Sequence, residues 1–206
     1  MSTVKAVLFD LDGVLVDACE LHRVALNKAL EEEGYTITLE EHHDRYNGLP
    51  TKVKLQMLTT EKGLSVGLHS KISQRKQILT SILAERIIKP NKDIYDLLYY
   101  LQNKSIKLAC CSNSVRGTVD HLLSITQLFD LVEVSVGNDE GVAPKPAPDI
   151  FLEGARRLNV SIEECVIVED SPIGLKAAYT ANPLRVIQVS GPEEVNLSLV
   201  PRIFGE

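Results

Sequence analysis

Four short apolar runs, Lys5–Asp10, Ile106–Ser112, Cys165–Glu169 and Leu184–Val189, stand out along the chain and predict strands. None shows the apolar–polar alternation of a half-solvated sheet, so each is expected to lie buried in a parallel sheet covered on both faces. The first three end at polar residues. Between the runs, apolar residues recur at helical spacing. Ile94, Leu97, Leu98 and Leu101 do so within Asp93–Lys104, and Val115–Ser124, Pro148–Asn159 and Gly174–Ala181 repeat the pattern. Ser171 and Pro172 precede the last of these as a cap and a first-turn proline. Strands alternating with helices specify an α/β fold with a doubly wound parallel sheet.

One stretch breaks the alternation. From Ala18 to Lys89 the spacing is helical only: Leu21, Ala25, Leu26, Ala29 and Leu30, then Val53, Leu55 and Leu58, then Ile72, Ile78, Leu79, Ile82 and Leu83. Gly34, Gly48-Leu49-Pro50 and Gly63 punctuate it, and Lys89-Pro90 marks the return to the sheet. The expected organisation is a Rossmann-like core, residues 1–16 and 90–206, with an α-helical cap domain inserted over 17–89. Asp17 is expected to cap the first helix. His42 and His43 point about 100° apart on a helix, a poor chelate, and are expected at the surface. Asn182 is expected to end its helix in the left-handed conformation.

Composition narrows the function classes. The 206 residues are 44% hydrophobic, enough for a sizeable core, and the net charge of −6 argues against a general nucleic-acid surface. No apolar stretch approaches the roughly 20 residues needed to cross a bilayer, and the N-terminal residues read as a strand rather than a signal peptide. Cys19, Cys110, Cys111 and Cys165 have no metal-site spacing. A cytoplasmic protein, monomer or weak dimer, with no membrane or nucleic-acid partner is expected.

In an open parallel sheet, ligands collect at the carboxyl ends of the strands. Asp10 and Asp12 follow the first strand, Ser112 and Asn113 the second, and Glu169 and Asp170 a later one; Lys145 stands in the loop "APKPAPDIF". Clustered carboxylates suit Mg²⁺, and a lysine, a hydroxyl and an amide can hold phosphoryl oxygens. One aspartate can attack phosphorus while the second moves a proton. A calcium loop needs an oxygen ligand at its fifth position and glycine at its sixth, where Val14 and Leu15 stand. A receiver domain would carry its aspartate after the third strand and have no helical insertion.

The motifs "DLDGV" (10–14), "SNS" (112–114), "KPAPDIF" (145–151) and "EDS" (169–171), in that order with an inserted helical segment, resemble the haloacid dehalogenase superfamily. The likeness is to its subgroup of β-phosphoglucomutase and related sugar-phosphate phosphatases, and it covers essentially the whole chain. The resemblance implies that Asp10 is the nucleophile and Asp12 the general acid/base. It implies that Ser112 and Asn113 bind phosphate, with Arg116 counted beside them, and that Lys145 bridges phosphate and nucleophile. Asp10, the Asp12 carbonyl, Glu169 and Asp170 would hold Mg²⁺. In the cap, His22, Lys76, Thr51 and Lys52 are the candidates for the substrate's remaining contacts. The mutase pattern places a cap arginine where this chain has Thr51, and lysines nearby lack arginine's bidentate fork. "SNS" also resembles the phosphatases, whereas Val14 leans towards the mutase. The expectation is therefore a phosphatase of a small phosphorylated metabolite, with a phosphosugar mutase as the alternative. A dead, purely binding member would need neither Asp10 nor Asp12, and dehalogenation would need no Mg²⁺.

Overall fold

The computed structural model describes residues 4–206. The chain divides into two compact units, one comprising the chain up to Asp17 together with Lys89–Glu206, the other Ala18–Ile88. Strand β1 (Ala6–Phe9) opens the first unit. The second holds α1 (Cys19–Glu31), α2 (Leu39–Glu41), α3 (Thr51–Lys62) and α4 (His69–Ile87). The first unit resumes with α5 (Lys92–Asn103), β2 (Lys107–Cys111), α6 (Arg116–Ile125), β3 (Val134–Val136) and α7 (Asp149–Arg157). It ends with β4 (Cys165–Glu169), α8 (Pro172–Ala181), β5 (Arg185–Gln188) and α9 (Val200–Phe204).

Among the described residues the five strands are all parallel, in the order β3-β2-β1-β4-β5. Phe9 pairs with Cys110 on one side and Val168 on the other, so the residues after β1, β2 and β4 leave the sheet at one edge. The chain winds outwards from β1 through β2 and β3, then crosses to β4 and β5. That reversal opens a crevice at the carboxyl ends of β1 and β4. On one face Leu8, Ala109, Cys111 and Ile167 pack with Ile150, Phe151 and Ala155 of α7 and Ala177 and Ala178 of α8. The alternate side chains Val7, Phe9, Cys110, Val166 and Val168 are equally buried, which is why these strands read as continuous apolar runs. The helical unit has its own core of Leu26, Ala29, Leu30, Tyr46, Leu55, Leu58 and Ile72. Among the described residues no helix is long and apolar enough to cross a membrane.

Several expectations need correction. β3 was not expected: three residues, Val-Ser-Val, at the sheet edge give too short and too polar a run. Asp17 does not cap α1, which begins after Ala18 without a side-chain cap bond, and Asp17 is exposed. His42 is not a surface residue. A five-residue π turn, His42–Tyr46, tucks both of its end residues inwards and leaves His43 outside. Burial, reinforced by the Lys54 ammonium, pushes the His42 imidazole down to about 4, so it is neutral at physiological pH. By contrast, Ser171 accepts from the Gly174 N–H at 3.1 Å, and Asn182 ends α8 in the left-handed conformation, as the sequence implies.

Candidate active site

The turn after β1 fixes two carboxylates. The Asp10 N–H donates to the Val168 carbonyl (3.0 Å), and the Leu15 and Val16 N–H groups both fold back on the Leu11 carbonyl (2.9 Å each). Gly13 sits at φ 90°, and a Cβ there would lie 2.2 Å from Asp170 Oδ2. Only glycine meets both demands, left-handed backbone and contact with a carboxylate. Gly13→Ala is expected to displace Asp170, with strain of about 1–3 kcal/mol lowering Tm in a thermal melt. An unchanged Tm would show that the turn and Asp170 absorb the added methyl group.

Lys145 joins the strand ends. Its Nζ lies 2.5 Å from Asp10 Oδ1 and 2.6 Å from Glu169 Oε2, and 4.6 Å from the centroid of the Phe151 ring. Lys145 is 4% exposed and Glu169 0%, so these are bonds in a dry environment, where charges interact strongly. Burial acts to lower the Lys145 pKa, but Asp10 and Glu169 outweigh it and hold the amine protonated. Glu169 is also buried, a penalty that Lys145 and the Ser171 N–H overcome, so it stays ionised. Its Oε1 accepts from the Asp170 and Ser171 N–H groups at 3.0 Å each. Asp10 goes the other way: burial first, then Glu169, raise its pKa well above the usual carboxylate range despite Lys145. Asp170 is raised to about 7, by burial and then by Glu169.

This is a surplus of negative charge in a confined space. One oxygen from each of Asp10, Glu169 and Asp170 lies within 4.8 Å of the others, and Asp170 Oδ1 is buried without a hydrogen-bond partner. An all-oxygen donor set with an unsatisfied carboxylate oxygen fits a hard divalent cation, which would relieve the repulsion.

Asp12 has hydroxyl partners of its own beside that cluster. Its Oδ2 accepts from Ser114 Oγ at 3.2 Å and from Ser112 Oγ at 3.5 Å, and Ser112 Oγ in turn accepts from the Ser114 N–H at 3.0 Å. Ser114 is no candidate by its sequence alone, and its place two residues beyond Ser112, closing "SNS", is the signal that points to it. Asn113 turns its amide to the peptide group of Lys145. Arg116 is not brought to the carboxylates. Its guanidinium binds both oxygens of Asp120 at 2.8 Å and the Ser135 carbonyl at 2.7 Å, tying α6 to β3.

Within the helical unit His22 and Lys76 meet, with Nζ 3.0 Å from Nδ1, and Lys76 is buried. Thr51 and Lys52 open α3, with Lys52 exposed.

A family model of haloacid dehalogenase-like hydrolases matches residues 7–189. A phosphorylated carbohydrates phosphatase of Thermotoga maritima is 30% identical over 185 residues, 90% of this chain and 85% of its own. A β-phosphoglucomutase of Bacillus subtilis is 27% identical over 207 residues, 96% of this chain and 89% of its own. Among solved structures, CbbY of Rhodobacter sphaeroides in complex with phosphate superposes with a TM-score of 0.84 at 26% identity, covering 92% of this chain and 87% of its own.

Proposed function

The chain belongs to the haloacid dehalogenase-like hydrolase family, and from that premise we propose that it is a Mg²⁺-dependent phosphatase of a small sugar phosphate, acting through an aspartyl phosphate on Asp10. The observation that carries this reading is the convergence of Asp10, Glu169 and Asp170 around the Lys145 ammonium, with Asp12 held by two hydroxyls beside them. A site built only to bind phosphate would present cations and N–H donors, not three carboxylates. The relative named for phosphorylated carbohydrates supports the substrate class.

Asp10, Glu169 and Asp170 would hold Mg²⁺, together with the Asp12 carbonyl. When bound, the ion supplies positive charge that shields the anionic nucleophile from the anionic phosphoryl group. Asp10 then attacks phosphorus. The Asp10–phosphorus bond forms as the bond to the sugar oxygen breaks, and Asp12 gives its proton to that leaving oxygen. Lys145 neutralises charge on the transferring group, and the Ser112 hydroxyl and nearby N–H groups orient its oxygens. In the second half Asp12 takes a proton from water, the resulting hydroxide attacks the aspartyl phosphate, and inorganic phosphate leaves with Asp10 restored.

Asp12→Ala is accordingly expected to lower kcat by about 10²–10⁴-fold, the usual worth of a general acid–base group, with phosphate affinity changed far less. A matched loss of both would make Asp12 a structural residue. The test of the function itself is phosphorus NMR with Mg²⁺ and a panel of sugar phosphates that includes β-glucose 1-phosphate. Growth of inorganic phosphate at the expense of one ester is expected. Conversion of β-glucose 1-phosphate to glucose 6-phosphate without phosphate release would replace hydrolysis by a mutase reaction.

A further inference from the structure

Lys145 does not lie on a strand or helix. It rides on the irregular stretch between β3 and α7, yet its ammonium must reach between two carboxylates anchored on β1 and β4. Side chains on such stretches are placed less accurately than those on strands unless the backbone is tied down.

We infer that the Asn113 side chain is the tie, positioning Lys145, and that its amide is not a contact to the phosphoryl group. Its Oδ1 accepts from the Lys145 N–H at 2.9 Å, and its Nδ2 donates to the Lys145 carbonyl at 3.2 Å. The side-chain amide thus pairs with one residue's N–H and C=O as a neighbouring strand would, fixing orientation as well as distance. The same turn is held to the loop at a second place. The Asn138 N–H donates to the Ser114 carbonyl at 3.0 Å, and the Asn138 amide donates to the Asn113 carbonyl. From that fixed backbone the long, buried Lys145 side chain places its ammonium over the Phe151 ring and against Asp10 and Glu169. A displacement of about 1 Å at the backbone is enough to lose such geometry.

The residue type follows from this task. Alanine offers neither bond. Aspartate keeps the acceptor for the Lys145 N–H but turns a second acceptor towards the Lys145 carbonyl. Glutamine sets the amide one methylene too far out.

The test is a double-mutant cycle on kcat/KM with Asn113→Ala and Lys145→Met, joined by a measurement that needs no turnover. The cycle arm rests on the phosphatase reading; the second arm does not. Asn113→Ala alone is expected to lower kcat/KM by about tenfold or more, with Asn113→Asp between it and the wild type. On the Lys145→Met background, Asn113→Ala is expected to change it by less than about twofold, because the two act as one unit. Losses that multiply would overturn the inference and return Asn113 to the substrate; no loss from Asn113→Ala would overturn it and leave the side chain without a role in turnover. In the second arm, lysines of the substrate-free protein are acylated with a water-soluble reagent and followed site by site by mass spectrometry. Faster acylation of Lys145 in Asn113→Ala, with the other lysines unchanged, is expected; an unchanged Lys145 rate would overturn the tie. Should Asn113→Ala not fold, Asn113→Asp takes its place in both arms, with smaller effects of the same sign. A wild-type protein that turns over no phosphate ester would end the phosphatase reading, and the acylation arm alone would then decide the role of Asn113.

Discussion

Asp10→Asn is expected to lower turnover of the cognate phosphate ester by about 10³-fold or more while the protein stays folded. The amide is nearly isosteric with the carboxylate but cannot attack phosphorus. Its effect on stability has a definite sign. Burial and the neighbouring Glu169 raise the folded-state pKa of Asp10 above its ordinary value. A carboxyl raised in this way favours folding when protonated, and ionising it in the folded state costs stability as pH rises above its unfolded pKa. A neutral amide removes that cost at neutral pH. Lys145 keeps its second partner, Glu169 at 2.6 Å. Tm of the metal-free variant is therefore expected to equal or exceed that of the metal-free wild type. Kinetics and thermal melts on the same preparation check both halves. A folded variant that retains a substantial share of the wild-type rate would mean another group attacks.

The second large effect is chelation. Removing divalent cations is expected to abolish turnover, and adding Mg²⁺ to restore it. A cation binding only the folded state also stabilises it, by about 2.7 kcal/mol at a hundred times its Kd. Mg²⁺ is therefore expected to raise Tm of the wild type. The reason lies in the charge surplus: Asp10 and Asp170 are both raised by burial and by Glu169, Asp170 to about 7, and Asp170 Oδ1 lacks a partner. A cation among them would bind with release of protons. Asp170→Ala is expected to lose most of the Tm response. Hydrolysis that continues undiminished after exhaustive chelation would sink the metal assignment.

The sequence by itself determined the α/β core, the helical insertion and which polar residues stand at the carboxyl ends of the strands. Parallel strands buried on both faces leave dense apolar runs, and the carboxyl ends of such runs are where "DLDGV", "SNS" and "EDS" stand. Those signals are local, each confined to a few consecutive residues, so they survive without knowledge of the path of the chain. Where the local signal is weak, sequence reading stops short. β3 is three residues with a serine in the middle, and it joins the sheet only because β2 offers it an edge. Burial of His42 depends on a π turn, which shifts side-chain directions away from helical periodicity.

Only the tertiary structure decided what each polar side chain touches. Asn113 and Arg116 belong to the same stretch, yet one clamps a residue 32 positions away and the other ties α6 to β3. The Lys145 ammonium meets a carboxylate 135 positions earlier in the chain. Contacts at that separation are set by strand order and by which loop closes on which turn. A lysine before a proline looks the same in sequence whether it ends in solvent or between two buried carboxylates. The fold makes the difference, because a buried ammonium persists only where compensating anions have been brought to it.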